Sequence, residues 1–314
     1  MKKLMLTGIA VLFCFSLIAQ TAMLKLNLEK NKVYRFRALS EQTISQTMNG
    51  VQQATETNVD YVMSMKMIDA TAEFLVAEIR FDTLITITNA MGQQINISSA
   101  VEGDMKSEKT GDIMSAIMNR MSKNAVYSKI DYTGKPLEIL NQKMLAGMVL
   151  KDTSSITLKG PVAAALKSQI SESVSDNSYK TMIGMFTWYL PGKQVGKGEE
   201  WKLTRQTTSG GMSLDISTTY HLDDINGNMA SITAKSVIKA SENAGPLKSG
   251  GATVNYDNLQ GLSESTTVID ITTGLVVDDK SRTHISGELG ISAPGFSMQM
   301  PMDINSESTV KILK

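Results

Sequence analysis

Apolar and polar residues alternate with a period of two along most of the sequence. One such run places Met63, Met65 and Met67 in one phase and Ser64 and Lys66 in the other. Successive side chains of a β-strand point to opposite faces of a sheet, so the run predicts a strand with one dry face and one wet face. This alternation is typical of antiparallel sheets.

The alternation continues in the next segment and returns in the second half of the chain. The apolar phase of the next segment contains Leu75, Ala77, Ile79, Phe81, Ile85 and Ile87. The apolar phase of the longest run contains Phe296, Met298, Met300, Met302, Ile304, Val310 and Ile312. Pro301 lies inside that run and has no backbone N–H to donate, which predicts an edge strand or a bulge there.

Dipeptides that favour tight turns lie between these runs. They are Asn49-Gly50, Thr133-Gly134, Gly210-Gly211, Asn226-Gly227 and Thr273-Gly274. Glycine and asparagine adopt positive φ at low cost, so these positions predict strand reversals.

The middle of the chain changes to helical spacing. Residues 112–121 carry apolar side chains three and four positions apart, and Pro161 opens a second run of this kind. A third helix is predicted with Asn177 or Ser178 as its N-cap, and a weaker one covers residues 137–148. The fold class predicted from these patterns is a β-rich α+β protein, with two curved antiparallel sheet units joined by a helical connector.

The N-terminus has the pattern of an export signal. Lys2 and Lys3 precede an almost purely apolar run that ends at Ala19. This predicts a signal peptide over residues 1–19, with a cut as late as Ala22 as the alternative, and places the mature protein in the periplasm or outside the cell. Cys14 is the single cysteine and bulky Phe15 follows it, which disfavours a lipid anchor.

These boundaries divide the chain into four predicted parts. Residues 1–19 form the signal peptide, 20–135 the N-terminal β-rich unit, 136–192 the helical connector and 193–314 the C-terminal antiparallel β unit. The three mature parts contain no cysteine, which excludes disulfides and thiolate chemistry from them.

Charge and hydropathy limit the partners. The chain has 31 basic and 31 acidic residues, and removing Lys2 and Lys3 leaves 29 against 31, a net charge of −2. No basic stripe suggests a nucleic acid partner. No run after the signal peptide approaches the roughly 18 apolar residues of a membrane helix.

A short motif occurs twice. Residues 130–134 read Ile-Asp-Tyr-Thr-Gly, and residues 269–274 read Ile-Asp-Ile-Thr-Thr-Gly. Duplication of one β unit explains the match, and so does turn chemistry alone.

Longer stretches carry a family resemblance. They are the export signal, residues 190–201 (LPGKQVGKGEEW), and residues 269–274 with the Met-Pro-Met strand that follows. Together they resemble a family of exported bacterial proteins of unknown function. The resemblance covers most of the mature chain and implies no catalytic residue, because the family has none assigned.

Methionine is the compositional outlier, with 21 residues in the chain. Thioethers are soft ligands for Cu(I). Residues two apart on a strand lie about 7 Å apart, however, which argues against one ion shared by neighbouring methionines. Core filling and an apolar ligand pocket are the other two interpretations. The predicted ligand-lining residues are Met63, Met65, Met67, Phe81, Met298, Met300 and Met302.

No motif indicates catalysis, a metal site or a cofactor. His221 and His284 fall in the polar phases of their strands, and Asp224-x-Asn226-x-Asn228 lacks the glycine and glutamate of a calcium loop. The predicted function is therefore an exported, non-enzymatic protein that binds a hydrophobic or lipid-like small molecule. The alternatives are a structural or adhesive module with an envelope protein as partner, or a methionine-based copper-binding protein.

Overall fold

A computed structural model describes residues 21–48, 50–209, 212–241, 245, 247–249 and 252–313. The predicted signal peptide and the Gly210-Gly211 turn lie outside these residues. The strands are β1 (Thr21–Leu24), β2 (Val33–Met48), β3 (Val51–Ala70), β4 (Phe74–Ala90), β5 (Gln93–Ser98), β6 (Val126–Asp131), β7 (Pro136–Ile139), β8 (Lys193–Gly196), β9 (Glu200–Ser209), β10 (Met212–Asn226), β11 (Met229–Ala240), β12 (Leu247–Ser249), β13 (Ala252–Asp270), β14 (Leu275–Ala293) and β15 (Phe296–Leu313). The helices are α1 (Thr110–Lys123), α2 (Gln142–Val149), α3 (Gly160–Ser173) and α4 (Asp176–Thr187).

Thirteen strands form one antiparallel sheet. Eleven of them follow the order β7-β6-β4-β3-β2-β15-β14-β13-β11-β10-β9, while β5 pairs with β4 and β12 pairs with β13. A separate two-stranded sheet joins β1 to β8. The prediction of a β-rich α+β fold with antiparallel strands is confirmed, and its two strand-rich units are halves of this one sheet, joined where β15 pairs with β2.

The interior position of β15 corrects the prediction that it is an edge strand. Residues 302–313 pair with β2 on one side, and residues up to 311 pair with β14 on the other. Pro301 lies opposite Glu288 of β14, one residue beyond the segment paired with β2. The proline therefore stands where β15 has a ladder on one side only, which is where its missing N–H does least harm.

A β-bulge corrects the predicted face of two isoleucines. The register between β3 and β4 shifts at Val62/Met63, so Met63 lies opposite Phe81 while Tyr61 lies opposite Leu84. Leu84 is buried with Phe81, and Ile85 and Ile87 fall in the other phase. The extra residue at the bulge reverses the alternation that the sequence pattern carries past Phe81.

One face of the sheet, the inner face, packs against the helices. Its buried strand residues here include Tyr34, Phe36, Met63, Met65, Leu75, Ile79 and Phe81. The buried helix residues include Ile113, Ile117, Leu145, Ile170, Tyr179, Ile183 and Phe186. We call this set the lower cluster. The ring centroids of Phe36 and Phe186 are 6.0 Å apart, so α4 rests directly on β2.

A second apolar set, the upper cluster, lies farther along the same strands. It consists of Met212, Leu214, Ile238, Leu259, Ile285, Met302 and Ile304, with Ile44, Ile216, Ala240 and Tyr256 half-buried beside it. These residues come from β10, β11, β13, β14, β15 and β2. No described helical residue belongs to the upper cluster, so other strands of the sheet bury it.

The connector follows the predicted helices with two adjustments. Ser175 is the N-cap of α4, where its hydroxyl accepts a hydrogen bond from the Ser178 backbone N–H at 3.1 Å. This replaces the predicted caps Asn177 and Ser178, which lie inside the first turn. The weak helix of residues 137–148 is partly strand, because β7 occupies 136–139 before α2 begins.

The repeated motif forms two matching turns. Asp131 accepts hydrogen bonds from the backbone N–H and the hydroxyl of Thr133, and Asp270 accepts the same pair from Thr272. Gly134 and Gly274 have φ of +87° and +73°. The turns join β6 to β7 and β13 to β14, which hold equivalent places when the two halves of the sheet are read in order. This agreement in topology favours duplication over turn chemistry alone.

Candidate functional site

The seven predicted ligand-lining residues lie in separate regions of the inner face. Met63, Met65 and Phe81 are fully buried in the lower cluster, and Met67 packs against it. Met302 belongs to the upper cluster; Met300 is buried and Met298 half-buried on the same strand. The structure therefore does not bring the seven together, and their role as ligand contacts stays a prediction.

A band of small hydroxyls separates the two apolar clusters. We call it the hydroxyl belt, and its members are Ser40, Thr218, Ser236, Ser263, Ser265, Ser281, Thr283, Ser306 and Ser308. Several bond to one another across strands: Ser308 donates to Ser40 at 2.8 Å, and Thr283 donates to Ser263 at 2.7 Å. The belt is half-buried apart from the more deeply buried Thr218.

A cavity of about 180 Å³ opens between the belt and the end of α4. Its floor consists of belt hydroxyls together with Thr267 and Asp279. Its walls are Met185, Trp188, Tyr189, Arg205, Tyr220, Ala234, Val276 and Val310. We call it the hydroxyl cavity. Its lining combines hydroxyls and charged groups with apolar and aromatic side chains.

The two turns position the wall formed by the α4 end. The Thr187 hydroxyl donates to the carbonyl of Gly134 at 2.6 Å, and the Tyr189 hydroxyl donates to that of Gly274 at 2.8 Å. Trp201 adds a bond from its indole N–H to the Tyr189 carbonyl at 3.0 Å. These buried bonds fix the backbone on both sides of Trp188, so this wall is held in place without a ligand.

Arg205 closes one end of the cavity. Its guanidinium donates to the Trp188 carbonyl and to the Tyr220 hydroxyl, each at 3.3 Å, and lies 5.8 Å from the Trp188 ring centroid. The Tyr220 ring stacks on Trp201 at 5.3 Å. Burial raises the pKa of Tyr220, while the positive charge of Arg205 opposes that shift. Within the described residues, Arg205 forms no ion pair.

Asp279 provides the acidic group of the cavity. Its carboxylate accepts a hydrogen bond from the Thr267 hydroxyl at 2.5 Å. Burial raises the pKa of Asp279, the hydrogen bond from Thr267 opposes that shift, and the neighbouring charge of Asp278 adds to it. No cation pairs with this carboxylate in the described part of the chain. Either a proton or a cationic partner would therefore stabilise this buried carboxyl group.

Two belt hydroxyls at the cavity floor have no protein partner. Ser265 and Ser281 lie opposite each other in the register of β13 and β14. Both line the cavity and are half-buried. Across the residues that the structure describes, neither hydroxyl makes a hydrogen bond to protein. They are therefore free to bond to whatever fills the cavity.

The outer face offers a shallower groove of about 470 Å³. Two of its polar side chains already have partners within the groove: Arg282 lies 3.0 Å from Glu307, and His284 bonds to Asn305 at 3.0 Å. His221, on the same face, bonds to Asp223 at 2.7 Å. No group of three His, Cys, Asp or Glu side chains suited to a metal occurs among the described residues.

The sequence did contain a signal for this site. Thr218, Ser236, Ser306 and Ser308 occupy the apolar phase of their strands, where each interrupts a run of hydrophobic residues. Asp279 follows Asp278 directly, and consecutive strand residues face opposite sides of a sheet, so the sequence does not mark the two carboxylates as one site.

Comparisons with known proteins place the chain in a family. The fold and the cavity define a β-rich α+β protein with a polar cleft between sheet and helix. The chain belongs to a family of unknown function, DUF6263, whose profile matches residues 73–276. No protein with a curated description matches it. None of the described helices is long and apolar enough to span a membrane.

Solved structures show only weak similarity. A lipovitellin structure described by its lipid–protein interactions has a TM-score of 0.49 at 9% identity, covering 92% of this chain and 26% of that one. This chain therefore spans about a quarter of the lipovitellin chain. An outer membrane channel from Pseudomonas putida F1 has a TM-score of 0.28 at 8% identity, with 92% and 97% covered. These similarities are too low to assign a function.

Proposed function

We propose that this protein is an exported, non-enzymatic binding protein for a lipid-like amphiphile, held on the inner face of its sheet. The observation that carries the proposal is the upper cluster: an apolar cluster from six strands to which no described helix contributes a side chain. Helices cover the lower cluster, so the two ends of the same face differ in what they pack against.

An amphiphile fits this face better than a purely apolar molecule does. The hydroxyl belt adjoins the upper cluster along β15, where Ser306 and Ser308 follow Met302 and Ile304. A ligand with a polar head and an apolar tail satisfies both surfaces at once. A hydrocarbon alone leaves the belt hydroxyls to water.

Mass spectrometry of organic extracts tests the proposal. Protein purified without detergent should release a bound amphiphile in near-stoichiometric amount. A fluorescent fatty acid analogue should also bind saturably and lose about tenfold in affinity in Met302→Gln, because a polar amide replaces an apolar contact.

The matched control is Gln299→Met, which changes an exposed position of the same strand. It should bind the analogue as the unaltered protein does. Empty extracts together with no saturable binding of the analogue contradict the proposal, and so does equal binding by Met302→Gln in a form whose circular dichroism spectrum is unchanged.

A further inference from the structure

The hydroxyl cavity has a size and a set of groups that the proposed apolar contact does not explain. Its volume of about 180 Å³ is below the ~300–1,000 Å³ of pockets for drug-sized ligands. It suits a single small ring or head group and is too small for an acyl chain. The ligand chemistry must therefore be read from the polar groups around it.

The polar groups of the cavity favour a ligand with several hydroxyls. Ser265 and Ser281 each offer a donor and an acceptor with no protein partner. Asp279 has accepting capacity beyond its single bond from Thr267. Arg205 has further N–H donors beyond its bonds to Trp188 and Tyr220. A polyol is the small ligand that both donates and accepts at several points.

The charges of the cavity favour a neutral ligand. Arg205 repels a cation and Asp279 repels an anion, and each group lacks an ion pair within the described residues. The two opposite charges leave the cavity near electrical neutrality. A quaternary ammonium head would have to approach the guanidinium that already lies over the Trp188 ring.

The apolar side chains of the cavity also suit a sugar ring. Met185 of α4 and the sheet residues Val276 and Val310 line the cavity beside its hydroxyls, and Met185 is half exposed. A sugar ring has hydroxyls at its edge and a C–H face, so it presents polar and apolar surfaces at right angles to each other. The cavity presents both kinds of surface to one small volume.

We propose that the hydroxyl cavity binds one neutral polyhydroxyl group, a single sugar ring, supplied by a free saccharide or by the head of a glycolipid. This deepens the proposed function by naming the head group, with Ser265, Ser281, Asp279 and Arg205 as its polar contacts.

Titration calorimetry with two sets of probes tests this inference. The first set is the methyl glycosides of glucose, galactose and mannose. The second is octyl glucoside below its critical micelle concentration, with octyl sulfate and octyltrimethylammonium as charged counterparts. We expect one-site binding by at least one glycoside. Binding by octyl glucoside alone identifies a glycolipid head as the source, and equally tight binding by a methyl glycoside identifies a free saccharide.

The variant that isolates the site is Ser265→Ala/Ser281→Ala, and its control is Thr266→Val on the exposed face of the same strand. Loss of two hydrogen bonds should weaken glycoside binding about tenfold or more in the double variant and leave the control unchanged. Unfolding midpoints should stay close to that of the unaltered protein, because neither hydroxyl has a protein partner.

Three outcomes overturn the inference: no glycoside binds, the double variant binds as tightly as the unaltered protein, or the charged amphiphiles match octyl glucoside. Failure of the inference is separable from failure of the proposed function. Binding of the fatty acid analogue without any glycoside leaves the proposed function standing alone, whereas binding of a methyl glycoside without any amphiphile leaves only the sugar site.

Discussion

The lower and upper clusters are two apolar regions on one face of one sheet, and they differ in what covers them. β2 contributes Phe36 to the lower cluster and Ile44 to the margin of the upper one, with Ser40 between them. Helices cover the lower cluster, whereas no described helix contributes a residue to the upper one. The same alternating pattern therefore builds a helix-covered core at one end and a cluster of strand residues at the other.

Removal of a large side chain from the lower cluster should have the largest effect on stability. Phe36 is fully buried and its ring packs on Phe186 of α4. Phe36→Ala should lower the free energy of unfolding by about 3–5 kcal/mol, because α4 cannot collapse fully onto β2 to fill the cavity. Urea denaturation followed by circular dichroism measures this. Leu262→Ala is the control, since Leu262 is 64% exposed; an equal loss in both contradicts the packing argument.

Truncation of one methionine in each cluster compares the two directly. Met63→Ala should fall near the upper end of the ~2–5 kcal/mol range for buried methionine, and Met302→Ala near the lower end. Met63 is fully buried under helices, whereas half-buried neighbours such as Ile44 can move toward the space left by Met302. The same denaturation experiment measures both. Equal losses indicate that the upper cluster is as sealed as the lower one.

Asp279 in the floor of the hydroxyl cavity should make the stability of the protein depend on pH. The raised pKa of Asp279 means that the folded protein holds this proton more tightly than the unfolded chain does. Its contribution to stability is thus present below the ordinary aspartate range and is lost as pH rises through the folded pKa. Asp279→Asn should therefore gain stability relative to the unaltered protein as pH rises from about 3 to about 7.

Denaturation midpoints at both pH values measure this difference. Asp215→Asn, on the outer face, is the control for a general effect of removing one negative charge. A difference between Asp279→Asn and the unaltered protein that stays constant with pH contradicts a raised pKa of Asp279 in the folded state.

The ion pairs of the outer face should contribute least to the free energy of unfolding. Arg282 and Glu307 form an ion pair at 3.0 Å, but their side chains are 81% and 68% exposed. Arg282→Gln should change the free energy of unfolding by less than about 0.5 kcal/mol, because water and salt screen the pair. Thermal unfolding at low and high salt checks this. A larger loss places part of the stability outside the two clusters.

Local pattern predicted the strands, the turns at Gly134, Gly227 and Gly274, and the inner phase of β15, because alternation reports directly which side of a strand is dry. It failed where the register changed: the bulge that follows Phe81 in β4 puts Ile85 and Ile87 on the face opposite to the predicted one. Pro301 led to the prediction that the whole of β15 is an edge strand. In the structure only the segment before Met302 lacks a partner on the β2 side, and the sequence carries no signal for that change.

The cavity was harder to predict than the strands. Its hydroxyls come from β10, β11, β13 and β14, and they converge only after these four neighbouring strands have paired in register. Arg205 and Asp279 carry no motif that separates them from surface charges. Serine and threonine inside an apolar phase were the available signal, and it becomes informative when several neighbouring strands share it.

The pairing of β2 with β15 has a consequence for how the chain folds. Ser40 of β2 bonds to Ser308, which lies 268 residues later in the sequence. Until that late segment emerges, β2 presents an unsatisfied ladder to its surroundings. A chain made or translocated from its N-terminus exposes this unpaired strand edge until β15 is available. We therefore expect slow folding and dependence on a holding chaperone before β15 pairs with β2.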